Sequence, residues 1–345
     1  WRVKGALQII DQTDLSFTRE EITALFTDLY SFPITSEQSE IIFSYTDGWI
    51  IALQMIWQRL QASRSRQLDR ILAELPTALA DVFNFLAQEV LQRQPENVQH
   101  FLLSSAVLRQ LEANACDALP GVSNSTPMLQ QLVEKGLFTF SVNETSYRYQ
   151  RLFQDFLLDQ GKNDPKKMKE LHQKAAEHFT RIRDYEEAIY HLFSCGEEDE
   201  AARLIETTGP RLLEIGRLRT ISKWIEQLGD ALLDRHPGIR LLQGDVQRLR
   251  SQFEDAINSY NRAEKAYLQR KDQPGRSRAL RSKAQVYLDT IRPLKASSLL
   301  EEAVSLLEPQ EHPAEVASLL DQLAENKLNM GKPDEARALH KEANM

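Results

Sequence analysis

The chain has 345 residues, with 42 Lys/Arg against 50 Asp/Glu for a net charge of −8, and only 13 Gly and 13 Pro. Its 42% hydrophobic content is too high for a disordered chain and suffices for two or three domains. No uninterrupted run of about 18 apolar residues occurs, which excludes a helix of membrane-spanning length. The cysteines, Cys116 and Cys195, are too few for a disulfide framework or a zinc site. They read as buried thiols of a reducing, cytoplasmic compartment. Charge is uneven: residues 1–161 carry 12 Lys/Arg against 19 Asp/Glu, residues 162–345 carry 30 against 31. Nucleic-acid-binding domains need the opposite balance, so the first half is not expected to grip DNA. The chain opens Trp1-Arg2-Val3-Lys4 without a Met or a signal-peptide pattern, which reads as a piece of a longer protein.

In chain order the periodicity is helical almost throughout. Ile22, Leu25, Phe26 and Leu29 define a helix over 19–31, with Thr18 and Glu21 placed for a capping box. A second helix follows Ser36 and carries Ile41, Ile42 and Tyr45 before Gly48 breaks it. Trp49 to Leu60 forms a third, with Trp49 a core anchor. The polar stretch 64–68 reads as a joint, and helices are expected at 77–92, 95–109 and 125–135, the last closing on Gly136. Leu137 to Val142 and Ser146 to Tyr149 alternate around polar turn residues and predict a two-stranded hairpin, with a helix beginning near Gln150. Helices, a hairpin and a further helix are the order of a winged-helix domain. Its acidic charge favours a structural or regulatory role over DNA binding.

The second half repeats. Small residues pair twelve apart at Ala176/Ala188, Gly244/Ala256, Ala284/Ala296 and Ala324/Ala336, with Cys195, Ala263, Ala303 and Ala343 small again seven later. The last three units step by 40 residues, and Tyr185, Phe253, Pro293 and Pro333 stand three before the second small position. Antiparallel helices approach closely only where side chains are small, so this register specifies stacked helical hairpins of the tetratricopeptide-repeat (TPR) kind. The register lapses between Glu197 and Gly229, where an irregular helix pair is expected. The fold class is therefore mainly α: a helical and winged-helix-like part followed by a TPR-like solenoid of helical hairpins. The domain boundaries predicted are 1–63, 64–161 and 162–345.

Catalytic signatures are missing. Met330-Gly331-Lys332-Pro333 lacks the first glycine and the hydroxyl of a phosphate-binding loop. The seven histidines are scattered, and His172 and His178, six apart, fall on different faces of one helix. Neither a metal site nor an enzyme follows from such a pattern. The basic run Arg262 to Lys283 reads either as a solvated face or as a patch for an anionic ligand or acidic partner. In a TPR-like solenoid the first helix of each hairpin lines the groove. That places Leu241, Asp245 and Arg248, then Arg278, Arg281, Gln285 and Leu288, and next Asp321, Glu325 and Leu328 along it. Guanidinium groups with several fixed donors suit a hydrogen-bonding or anionic ligand there.

Asp14-Leu15-Ser16-Phe17-Thr18 with Glu20-Glu21, then Tyr45-Thr46-Asp47-Gly48-Trp49 and Leu53-Gln54, resembles the segment after the nucleotide-binding domain of MalT-like bacterial transcriptional activators. These belong to the signal-transduction ATPases with numerous domains (STAND). Phe85 to Leu91, Gln94-Pro95, Phe101 to Ser104, Cys116 to Ala118, Leu129 to Leu132, Gly136 to Phe138 and Tyr147 to Phe153 resemble their winged-helix region. The resemblance covers the whole chain. It implies a regulatory arm whose own ATPase domain, binding ATP or ADP, precedes it, with DNA bound only through a domain outside this chain. The solenoid would take an inducer or an inhibitory protein, and no membrane is involved. It also implies that Gln150 stands where related ATPases carry a His that reaches the bound nucleotide's phosphate. An amide donates one hydrogen bond there but takes no proton. The rival reading is a free-standing TPR adaptor or co-chaperone, which would need neither the acidic winged helix nor the Thr46 to Trp49 segment.

Overall fold

The computed structural model describes residues 15–62 and 87–344, with Leu68 and Asn84 between them. The expected joint at 64–68, apart from Leu68, and most of the helix expected at 77–92 lie outside the described residues. Two compact units emerge, residues 1–195 and residues 196–345.

The first unit opens with α1 (Arg19–Ala24), capped as its sequence predicts: Glu21 N donates to Thr18 Oγ1 and Thr18 N donates back to the Glu21 carboxylate. The helix does not run regularly to residue 31. It widens at Leu25–Leu29, where Tyr30 N reaches the carbonyl of Leu25. Helix α2 (Ser36–Thr46) has a second capping box, Thr35 with Gln38. It ends on Asp47 and Gly48, both left-handed, and a Cβ at Gly48 would stand 2.1 Å from the carbonyl oxygen of Phe17. Only glycine fits that close approach. Helix α3 (Ile50–Ala62) buries Ala52, Leu53, Ile56 and Leu60. Trp49 and Trp57 are both half-buried, and Trp57 is stacked on Tyr30 with ring centroids 4.5 Å apart.

The winged helix follows. Helices α4 (Glu96–Ser105), α5 (Ala113–Asp117) and α6 (Ser125–Glu134) precede strands β2 (Thr139–Ser141) and β3 (Ser146–Tyr149). A two-residue strand β1 (Leu111–Glu112) pairs antiparallel with β3, giving the order β1-β3-β2. Helix α7 (Arg151–Gly161) buries Phe153, Phe156 and Leu157. Tyr149 and Ser105 hydroxyls meet at 2.7 Å in the interior, which satisfies both where water is absent. Helices α8 (Pro165–Ile182) and α9 (Tyr185–Ser194) form a hairpin whose contact includes Ala176 and Ala188, both buried. Cys116 and Cys195 are buried, and burial pushes the Cys116 thiol up to about 12, which leaves it protonated and inert.

The second unit begins with the irregular helices α10 (Glu198–Glu214), α11 (Leu218–Gln227) and α12 (Asp230–Arg235). Three hairpins follow: α13 (Pro237–Leu249) with α14 (Phe253–Arg270), α15 (Gln273–Asp289) with α16 (Pro293–Ser305), and α17 (Pro313–Asn329) with α18 (Pro333–Ala343). Ala256, Ala263, Ala284, Ala296, Ala303, Ala324 and Ala336 are all fully buried. Phe253, Pro293 and Pro333 are the first residues of the second helices, where a fixed proline φ costs nothing. Each hairpin turns through a left-handed residue, Ser251, Ile291 or Gly331, spaced 40 apart. In each, that residue's N–H and the next one's bond back to the helix end, as Ile291 N does to Leu288 O and Arg292 N to Tyr287 O.

Candidate functional site

A cavity of about 540 Å³ lies within the second unit. Helices α10, α13, α15 and α17 supply most of its wall, because the first helix of each hairpin turns the same face inward. Six of the ten residues placed along the groove line it: Leu241, Asp245, Arg248, Arg278, Arg281 and Gln285. Leu288 does not. It packs, partly buried, against the core around Leu280, Leu300 and Leu320, since an apolar side chain one turn further on gains more there than in a polar cleft. Asp321, Glu325 and Leu328 do not line the cavity either; Asp321 faces α18, 2.9 Å from His340 Nδ1. The third hairpin contributes Gln322 instead. Gln322, Ser282 and Leu242 each stand two residues before the small residue of their helix. That helical phase lies within the same inward stripe as the predicted positions and could have been read with them. Tyr267 and Arg270, from the end of α14, also line the cavity; Arg270 belongs to the basic run, whereas Tyr267 carried no sequence signal.

Four polar residues of the cavity wall form one continuous chain together with Asp289, which lies outside the lining. Arg281 Nε donates to Gln322 Oε1 at 3.0 Å, and Gln322 Nε2 donates to Gln285 Oε1 at 2.7 Å. Gln285 Nε2 donates to Asp289 Oδ1 at 2.9 Å, and the other oxygen of Asp289 accepts from Arg248 at 2.9 Å. The chain thus ties α17, α15 and α13 together. Beside it Tyr260 Oη donates to Asp245 at 2.7 Å; burial nevertheless raises the Asp245 carboxyl above the usual range.

The basic run is divided by the fold. Arg262 pairs with Asp230 and Asp234, Arg276 with Glu264 and Glu302, and Lys283 with Glu264. Arg278 and Arg281 point into the cavity without a carboxylate partner among the described residues: Arg278 lies over the Tyr267 ring at 5.9 Å, and Arg281 holds Gln322 and the Ser318 hydroxyl.

Gln150 occupies a different setting in the first unit. It is 1% exposed and N-caps α7, with its Nε2 donating to the Thr46 carbonyl at 3.2 Å and its Oε1 without a hydrogen-bond partner among the described residues. Asp47 alongside takes both Arg148 nitrogens, at 3.0 and 3.2 Å, and the Arg151 N–H at 3.1 Å. The Thr46-Asp47-Gly48 segment therefore clips the end of α2 to the wing strand and the head of α7. In this arrangement the Gln150 amide is used inside the protein and not offered at a surface.

Two of the seven histidines, scattered in sequence, meet in space. His172 and His191 meet through their Nδ1 atoms at 2.8 Å across the α8–α9 hairpin, and burial holds both below the ordinary histidine range. Among the described residues no group of His, Cys, Asp and Glu is placed to hold a metal ion.

Residues 87–189, from before α4 to the middle of α9, match the family model of the MalT winged helix domain. The match includes α8 and the first half of α9, which lie in the first compact unit. The chain is 25% identical over 319 residues to the HTH-type transcriptional regulator MalT of Vibrio campbellii, covering 89% of this chain and 35% of that protein. It is 26% identical over 317 residues to the serine/threonine-protein kinase PknK of Mycobacterium tuberculosis, covering 88% and 28%. The chain thus spans about a third of the length of the curated relatives it matches. Among solved structures it is similar to PH0952 of Pyrococcus horikoshii, a STAND protein with a tetratricopeptide repeat sensor, at 15% identity and a TM-score of 0.48 over 95% of this chain and 53% of that one.

Proposed function

We propose that this chain is the non-catalytic sensor and signalling arm of a MalT-like transcriptional activator. The cavity of the second unit receives an inducer or a partner segment. The observation that carries this reading is the hydrogen-bond chain Arg281–Gln322–Gln285–Asp289–Arg248, which spans three hairpins across the cavity wall. A ligand that takes donors from Arg281 competes with Gln322 and so alters how α15 meets α17. Such a differential contact is what a ligand must supply to shift a conformational equilibrium. The MalT-type winged helix then relays the change to an ATPase domain that binds ATP or ADP, and Gln150 meets the nucleotide only if its contact with Thr46 opens. DNA is bound by a domain outside residues 1–345. The net charge of −8 supports that division of labour.

The test is genetic and works whichever genes are the targets. The chromosomal gene is deleted, or given Arg278→Ala with Arg281→Ala, and transcript profiles are compared with the parent strain. A shared set of genes losing expression in both strains is expected. A deletion strain with an unchanged profile refutes a transcriptional role and leaves the adaptor reading. Purified chain should neither hydrolyse ATP nor retard duplex DNA at physiological salt.

A further inference from the structure

The second-unit cavity treats its acids and its bases differently. Each carboxylate in its wall is held by a donor of the fold itself: Glu206 by the Gly238 N–H at 2.7 Å and by His236, Asp272 by the Gly275 N–H at 2.8 Å, and Asp245 by the Tyr260 hydroxyl at 2.7 Å. The arginines are not answered in the same way. Arg270 donates to the backbone carbonyls of Asp234 and Arg235, Arg281 to a neutral amide and a hydroxyl, and Arg278 overlies the Tyr267 ring. Among the described residues of this wall, Arg248 is the arginine that a carboxylate neutralises, that of Asp289.

The unit does not lack acids with which to pair. Arg262, Arg276, Lys283 and Lys327, outside the cavity, each contact two carboxylates or share one with a second base. Arg270, Arg278 and Arg281 line one cavity, each exposed and none paired with a carboxylate among the described residues, while the wall's carboxylates Glu206, Asp245 and Asp272 are engaged by other donors. A neutral ligand would leave those charges unpaired, whereas an anion pairs with them and accepts from several donors at once. Arg278 and Arg281 stand one helical turn apart on α15, so one oxyanion can be approached from both.

Resting on the sensor reading of this cavity, we infer that its ligand is a small anion, a phosphate- or carboxylate-bearing metabolite whose charged group sits between Arg278, Arg281 and Arg270. The hydroxyl- and amide-accepting remainder lies along Gln285 and Gln322. Binding draws Arg281 from Gln322 and so opens the hydrogen-bond chain at its α17 end.

The test is calorimetric titration of the full 345-residue chain with sodium phosphate and, separately, sodium succinate, at ionic strength held constant with sodium chloride. Saturable binding of either anion is expected, and which one binds identifies the charged group. Arg278→Ala with Arg281→Ala should weaken it at least about tenfold, because each guanidinium–oxyanion contact is charge-assisted. Lys265→Ala, which removes an exposed charge outside the cavity, should leave it unchanged. Arg281→Lys keeps the charge, loses the fork and should fall between, a control that does not depend on the double variant folding. Equal heats with both anions and chloride overturn the inference, as does binding that survives the double variant. If anions do not bind but the arginine strain loses its transcripts, the ligand class is wrong and the sensor reading stands. If phosphate binds but the strain keeps its transcripts, the sensor reading fails and the anion site stands.

Discussion

Gly244 sits in the middle of α13, where helix propensity alone favours alanine by about 1 kcal/mol. The structure predicts the opposite sign. A Cβ at Gly244 would stand 2.3 Å from Cε1 and 2.6 Å from Cδ1 of Tyr260. That ring is 0% exposed and its hydroxyl is tied to Asp245, so it cannot swing aside into solvent. Overpacking of this kind costs about 1–3 kcal/mol. Displacing the ring also strains or breaks a hydrogen bond to a buried carboxylate, about 1.5–3 kcal/mol. Set against the propensity gain, Gly244→Ala should destabilise the second unit by about 1.5–5 kcal/mol. For a unit of 150 residues each kcal/mol moves the melting temperature by about 2–4 °C, so a fall of about 3–20 °C is expected by circular dichroism. Gly244→Ala with Tyr260→Leu should recover part of the loss, because the clash is removed in the same pair. A Gly244→Ala chain melting at or above the parent temperature would refute the close-packing argument, and with it the small-residue register on which the repeat rests.

Ile291 holds a left-handed turn with φ 57° while its side chain is 88% exposed, where the equivalent turn 40 residues later uses Gly331. The β-branched residue costs about 1–2 kcal/mol there, and glycine returns part of that in unfolded-chain entropy, so Ile291→Gly should stabilise by about 0.5–1 kcal/mol in urea titration. Ala296 is fully buried in the α15–α16–α17 core, and Ala296→Leu should lower the second unit's stability by about 1–3 kcal/mol; an unchanged melt would mean that the helices are not this close. His172 and His191 titrate below their ordinary 6.5 in the folded first unit. The unfolded chain therefore binds more protons below that pH, and the stability these residues contribute is full above about pH 6.5 and lost as pH falls toward the lowered values. The slope is at most about 1.4 kcal/mol per pH unit for each histidine, and His172→Leu with His191→Phe should flatten it; an equal slope in that variant would assign the acid sensitivity elsewhere.

Features that depend on neighbours in sequence were legible from the sequence. The capping box of Thr18 and Glu21, the break at Gly48, the hairpin ending at Tyr149 and the small residues twelve apart all state a local geometry that only certain side chains permit. Helical phase is local too, which is why Leu241, Asp245, Arg248, Arg278, Arg281 and Gln285 could be assigned to one wall before the wall was seen. Tertiary structure alone decided what distant segments do to one another. It added β1, a two-residue strand too short to signal itself, and joined His172 to His191 across a hairpin. It turned Gln150 inward onto Thr46, 104 residues away, and sent Leu288 to the core. Most consequentially, it sorted a run of basic residues that look alike in sequence. Arg262, Arg276 and Lys283 found carboxylates on neighbouring helices, whereas Arg278 and Arg281 found none among the described residues. The physical reason is range: propensity and periodicity act within a turn or two of the chain, but whether a charge is answered depends on which side chain a different helix brings within about 4 Å of it.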